Sequence, residues 1–371
     1  TTVLTKDTPA FIANRIGVFG MMAIMKIMEK LQLSIDEIDA LTGPLAGRPK
    51  SATFRTADVV GIDTLIKVAK GVYDNCPNDE AKDIFNIPAW LNKMVENNWL
   101  GDKTGQGFFK KVKTPDGKSD IQVLNLKTME YTARQKPKFA TLEAAKPIED
   151  LPARLKILIN GTDKAGEFYR QFHYSLFSYI SHRIPEISDE VYRLDDAMMA
   201  GFGWEIGAFE SWDASGVAKT TEAMKAAGFT VAKWVDDMLA AGHNTFYKVE
   251  NGKRLYYDVA GKTYKNLPGG DTFLVMKYFT NQTIWKNSSS RVYHLGDDVL
   301  GLEWNTKMNS IGGEVLESIQ KGISLAEEKY KGLVIANESA NFSAGANIGM
   351  IFMLAIEQDY DEIDMAIRMF Q

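Results

Sequence analysis

The chain has 371 residues, 45% of them hydrophobic, which is enough for two or three domains with ordinary cores, and its net charge of −5 with acids and bases interleaved argues against a general nucleic-acid binder. Its longest apolar runs, VFGMMAIM from Val18 and GMIFMLAI from Gly349, are too short to cross a bilayer, and the first residues do not read as a signal peptide, so no membrane span and a cytoplasmic setting are expected. The single cysteine, Cys76, excludes an intramolecular disulfide and reads as a small buried residue, while His173, His182, His243 and His294 lack the paired spacing of a helical metal site, so no metal is expected.

The segment KDTPAFIANRIG, Lys6 to Gly17, reads as a short extended lead-in, a proline turn and the start of an apolar helix. Such a helix start normally has a domain before it, and here only Thr1 to Thr5 precede it. From Ala10 to Leu33 the apolar residues recur at helical spacing, and SIDEIDAL then offers Ser34 as an N-cap with an acid three residues later, opening a second helix. GRPKSATFRTADVVGIDT follows from Gly47, then the amphipathic AWLNKMVENNWLG and an aromatic stop, KTGQGFFKK. A Pro-Asp-Gly turn and alternating residues in TPDGKSDIQVLNLKTMEYTARQKPKF suggest a small β-ribbon.

The same order then recurs about 155 residues further on, the signature of a duplicated helical domain. GEFYRQFHYSLFSYISHRIPEISDEVYRLDDAM repeats the long helix, the break and the acidic opening of the next helix, with Ser188, Asp189 and Glu190 leading to Leu194 and Asp195. Phe54 aligns with Phe209, Asp58 with Asp213 and Gly61 with Gly216. AKWVDDMLAAGH and NTFYKVENG answer the amphipathic helix and the aromatic stop, and ENGKRLYYDVAGKTYKNLPGGD reads as a second ribbon. A repeat of this kind also serves as a plain helical scaffold, each copy burying the other's apolar face.

From Arg291 the pattern changes to strands alternating with helices, an α/β unit. RVYHLGDDVLGLEWNT reads as two strands around a tight turn, GGEVLESIQKGISLAEEKY as an amphipathic helix, and KGLVIANES as a buried strand. GFGWEIG, Gly201 to Gly207, is a poor dinucleotide loop, because its last spacing is one residue too long and it lies between helices rather than after a strand. FSAGAN, Phe342 to Asn347, follows the expected strand, and its small residues leave amide N–H groups free to meet a developing oxyanion; an ordinary tight turn has the same composition.

FSAGANI with the preceding GLVI and LGLEWNTKMNSIGGEVLESI resembles the first part of the crotonase superfamily, the enoyl-CoA hydratases and isomerases. KDTPAFIANRIG, DVVGIDT and KTGQGFFKK together resemble the C-terminal helical domain of 3-hydroxyacyl-CoA dehydrogenases, and the whole chain resembles the middle of a bacterial multifunctional fatty-acid β-oxidation enzyme. The resemblance implies a fold that is mainly α with an α/β portion. Residues 1–112 would be a dehydrogenase C-terminal-like helical domain, 113–160 a β-ribbon and linker, 161–286 a second such helical domain, and 287–371 a truncated crotonase-like domain. It further implies that the parent oxidises (3S)-3-hydroxyacyl-CoA with NAD and hydrates 2-enoyl-CoA, with acyl-CoA substrates and either self-association or a thiolase-type partner. Thr1 would then follow an NAD-binding domain, and the chain alone would hold no NAD and be inactive. The site residues implied are Asn14, matching the family's active-site asparagine, and Ala346, whose amide matches the first oxyanion-hole donor. The second copy has no asparagine opposite Asn14 and lacks KTGQG, and is expected to be a structural partner; GRPKSATF departs from the Pro-Met-Gly-Pro-Phe of many relatives. The alternative is a non-catalytic helical assembly module.

Overall fold

A computed structural model describes residues 2–270, 272–338, 341–346 and 348–371, without the side chains of Met350 and Met369. The chain forms two compact units, Thr1–Tyr247 with Tyr256–Lys265, and Lys248–Leu255 with Asn266–Gln371. No helix among the described residues is long and apolar enough to cross a membrane.

The first unit opens with α1 (Ala13–Leu31), whose buried stripe includes Ile16, Phe19, Met22 and Ile27. The helix was expected from Ala10, but Ala10 and Phe11 have φ of 64° and 51°, a left-handed turn that delays it to Ala13. Gln32 at φ 51° stops α1, and Leu33 N donates to Met28 O at 3.0 Å. Ser34 then caps α2 (Ile35–Leu41) in the expected reciprocal box with Glu37. Two helices follow end to end, α3 (Phe54–Val60) and α4 (Ile62–Asn75), the corner between them made by Gly61 at φ 100°, a conformation closed to side-chain-bearing residues. Next come α5 (Ala89–Glu96) and a three-stranded antiparallel sheet, β1 (Phe109–Lys113), β2 (Ser119–Asn125) and β3 (Glu130–Ala133).

After α6 (Ala140–Ala145) and α7 (Leu151–Asn160) the order returns: a long helix, α8 (Lys164–His182), then α9 (Val191–Phe202). The pair α10 (Ala208–Ser215) and α11 (Val217–Ala226) turns at Gly216, φ 82°, as α3 and α4 turn at Gly61. Then come α12 (Lys233–Ala240) and the sheet β4 (Tyr247–Glu250), β5 (Lys253–Asp258) and β6 (Thr263–Asn266). One detail departs from the expected repeat: α9 begins after Glu190 without a side-chain cap, whereas the matching acids of α2, Asp36 and Glu37, lie inside their helix.

The two long helices pack on each other, as the exposed area of their apolar stripes required. Phe19 stacks on Tyr179 with centroids 3.7 Å apart, and Phe172 lies over Gly20. A buried ionic knot sits beside this contact. Arg15 donates to Tyr179 Oη and Asp79 Oδ2, both at 2.6 Å, Arg183 donates to the same Asp79 oxygen at 2.9 Å, and Glu186 reaches both arginines.

In the second unit β7 (Thr283–Lys286), β8 (Ser290–Gly296) and β9 (Val299–Trp304) run antiparallel, and β10 (Gly332–Ile335) joins β9 in parallel after the crossover helix α13 (Gly313–Lys329). Val292, Leu300, Leu302, Trp304 and Val315 form its core. The strand expected to be buried is not: β10 is an edge strand, with Val334 47% and Ile335 38% exposed. The chain continues as α14 (Ile348–Ile356) and α15 (Tyr360–Phe370).

Candidate active site

Asn14 is the second residue of α1 and lies exposed at its start. Its neighbour differs: Arg15, about 100° further round the helix, is buried and held by Asp79, Tyr179 and Glu186, whereas Asn14 is exposed. The lead-in is tied as well: Lys6 N donates to Ile187 O at 3.0 Å, Lys6 Nζ pairs with Asp189 at 2.6 Å, and Phe11 N donates to Thr8 O at 3.0 Å. Ile12, at the N-cap position, offers no side-chain acceptor, so the first amides of α1 lack the usual cap. The Asn14 carboxamide has no hydrogen-bond partner among the described residues, which leaves it able both to donate and to accept.

Elsewhere in the same unit, carboxylates brace the starts of other elements. Asp39 accepts the amides of Thr53, Phe54 and Arg55 at 2.7–3.2 Å, and Asp58 accepts those of Phe108 and Phe109 at 2.8 and 2.9 Å. Burial pushes Asp39 up to about 7 and Asp58 up to about 6, in each case against the pull of the amides. The second copy repeats both clasps: Asp195 accepts Phe209 N and Glu210 N, and Asp213 accepts Phe246 N and Tyr247 N. For Asp79, burial alone would raise the carboxyl, but the charge of Arg183 and the bond from Arg15 hold it below its ordinary value.

Ala346 belongs to the second unit and is a separate site. Its loop is pinned from several sides: Asn337 Nδ2 donates to Phe342 O at 2.7 Å, Ser343 Oγ to Asn309 O at 2.6 Å, Ala344 N to Met308 O at 3.1 Å and Gly345 N to Ser343 Oγ at 3.0 Å. Ile311 N donates to Gly345 O at 2.8 Å in a parallel bridge centred on Ala346, a pattern that does not use the Ala346 N–H. That N–H has no acceptor among the described residues, and Ala346 lines an apolar hollow with Leu316, Ile351 and Leu354. Ser339, Ala340 and Asn347, the last residue of the expected loop, lie outside the described residues.

Sequence reasoning did not single out the clasping aspartates as braces. The alignment of Asp58 with Asp213 was their visible signal, since nothing about an exposed turn calls for an acid at both places. Arg15 was visible too, as a charge on the apolar stripe of α1.

The described geometry can be set beside known proteins. Residues 11–111 match the model of the 3-hydroxyacyl-CoA dehydrogenase C-terminal domain. The match to this dehydrogenase domain takes in Asn14, Arg15 and both carboxylate clasps of the first copy, and stops before the second copy. Over all 371 residues the chain is 42% identical to a protein of Bacillus subtilis (strain 168) named probable 3-hydroxyacyl-CoA dehydrogenase, covering 46% of that relative. It is 24% identical over 374 aligned positions to a Rickettsia prowazekii protein provisionally named fatty acid oxidation complex trifunctional enzyme, covering all of this chain and 47% of that one. A Deinococcus radiodurans probable 3-hydroxyacyl-CoA dehydrogenase is 47% identical over 111 residues, 30% of this chain and 31% of that one. The chain thus spans about half the length of the first two relatives.

Proposed function

We propose that this chain carries the substrate-side helical part of a 3-hydroxyacyl-CoA dehydrogenase, in which Asn14 hydrogen-bonds the 3-hydroxyacyl group or orients the base that removes its hydroxyl proton. The observation that carries the reading is the exposed Asn14 carboxamide at a helix start without a side-chain cap, lying inside the segment similar to the dehydrogenase domain. The substrate class is (3S)-3-hydroxyacyl-CoA thioesters and the product 3-oxoacyl-CoA.

NAD is the cofactor that this activity implies, and the described residues do not fit it. The glycine-rich GFGWEIG joins α9 to α10, with no strand before it, so its amides do not form a pyrophosphate cradle. The seat for nicotinamide would lie in the half of the relatives' length that this chain does not span. We further read the Ala346 N–H as the first of two donors to the thioester oxygen of a 2-enoyl-CoA during hydration, and the second copy as a structural partner to the first. A cytoplasmic setting accords with the single cysteine.

In the full-length native chain, Asn14→Ala should lower the dehydrogenase rate roughly tenfold or more, about 1.4 kcal/mol of transition-state stabilisation, with unchanged melting temperature. An unchanged rate in the folded variant rejects the assignment. Ala346→Pro, which removes the donor, should cost hydratase activity on the order of 3 kcal/mol, roughly a hundredfold, provided circular dichroism is unaltered. Full hydratase activity in that variant removes Ala346 from the site.

A further inference from the structure

A hollow of about 640 Å³ opens in the first unit, bordered by the β1–β3 sheet, α2 and the start of α3. Five cationic and three acidic side chains line it, so it is positive in a chain whose net charge is −5. The three acids are already engaged. Asp36 accepts Arg134 Nε and Gln135 N, both at 2.8 Å, Asp102 accepts both ends of the Arg55 guanidinium, and Asp39 accepts the three amides of its clasp. That leaves Lys50 before α3, Lys111 in β1 and Lys136 after β3, all exposed and none with an ion-pair or hydrogen-bond partner among the described residues. The frame does not require these cations. One residue past the aligned Phe54 and Phe209, Arg55 is answered by Glu210, and two past the clasped Phe109 and Tyr247, Lys111 is answered by Val249.

We propose that this hollow binds a small ligand carrying several phosphate groups close together, held by Lys50, Lys111 and Lys136. An ammonium meets phosphate oxygens as a point charge with three donors, and like charges gathered without a counter-charge repel one another until a polyanion neutralises them. A concave site with cations on separate segments suits a compact polyanion better than a flat membrane surface. Two sources have this chemistry: a free polyphosphate, and the nucleotide end of CoA with its diphosphate and 3′-phosphate. The inference does not depend on the role of Asn14.

The test is calorimetric titration of the full-length native chain with inorganic triphosphate, CoA and dephospho-CoA, which lacks the 3′-phosphate. Triphosphate or CoA should bind, and Lys50→Gln and Lys111→Gln should each weaken that binding roughly tenfold, the loss of one charge-assisted contact. Lys118→Gln removes the same charge from the turn between β1 and β2, where Lys118 pairs with Asp116 outside the hollow, and should leave binding unchanged. Lysine-dependent binding tighter for CoA than for triphosphate and dephospho-CoA assigns the site to the CoA nucleotide, and tighter binding of triphosphate assigns it to a free polyphosphate. Binding that Lys50→Gln and Lys111→Gln leave unchanged, or that Lys118→Gln weakens equally, overturns the site. So does the absence of binding to both phosphate ligands, including the case in which these lysines hold vesicles of anionic lipid instead. Because the readout involves no catalytic step, either failure leaves the dehydrogenase reading standing, and a chain without dehydrogenase activity leaves this site standing.

Discussion

The stretches α1 to α5 and α8 to α12 share a frame and differ at one end of it. Both have a long helix of 19 residues, α1 and α8, and both hold the next elements with aspartates that accept backbone amides, Asp39 and Asp58 in one, Asp195 and Asp213 in the other. At the start of α8, Asp163 caps the helix by accepting Gly166 N at 3.0 Å and also binds Thr141 N and Oγ1. At the start of α1 no side chain caps the amides, and the exposed Asn14 stands there instead. The difference is one of capping: a side chain satisfies the start of α8, whereas the start of α1 has no side-chain cap and carries an exposed carboxamide.

The comparison can be broken most severely at the knot that joins the copies. Asp79→Ala would strand Arg15 and Arg183, both buried, and should destabilise the first unit by about 3–5 kcal/mol in chemical denaturation. A loss below about 1 kcal/mol would mean that water or Glu186 replaces the carboxylate.

If the two frames are equivalent, Asp58→Ala and Asp213→Ala should cost similar amounts, about 2–3 kcal/mol each, since each orphans two backbone amides. Denaturation midpoints that differ widely would show that the clasps are alike in geometry and unlike in energy.

The second copy also holds a titratable group that the first lacks. His173 is buried among Tyr169, Phe172 and Phe177, its Nδ1 is 2.8 Å from Tyr169 O, and burial pushes it down to about 4. Its folded value lies below the unfolded one, so the unfolded chain binds the extra proton. The stability this neutral imidazole contributes is complete above about pH 6.5 and falls, by roughly 1.4 kcal/mol per pH unit at most, as pH drops toward 4. His173→Gln should flatten that acid limb of the melting profile; an unaltered limb would assign it to other groups.

The smallest effect expected is that of the cap itself. Asp163→Ala should destabilise by about 1 kcal/mol without altering catalysis, whereas Asn14→Ala should do the reverse. A variant pair showing the same phenotype would erase the distinction between the two helix ends.

Much of the frame could be read along the chain because it depends on local chemistry. The period of α1, the Ser34–Glu37 box and the order β8, β9, α13, β10 follow from residues within a few positions of one another, whereas the corners at Gly61 and Gly216 were not read from the sequence. Asn14 and Ala346 stand out only through the contiguous motifs around them, and their roles are proposals. The delayed start of α1 was not legible, since a left-handed turn at Ala10 and Phe11 runs against the preference of both residues and is held by contacts made elsewhere. Nor was the exposure of β10, because an apolar run does not reveal how many neighbours its strand will have.

The sequence by itself thus determined the period of α1, the Ser34 cap and the strand–helix–strand order of the second unit, all of which rest on short-range sterics and hydrogen bonding. Only the tertiary structure decided that Arg15 meets Asp79, Tyr179 and Glu186 across separations of 64, 164 and 171 residues. It alone put the Phe202 ring against Gly17. Contacts between residues so far apart depend on how whole helices pack, and no local period or motif encodes which charge or ring will fill a given gap.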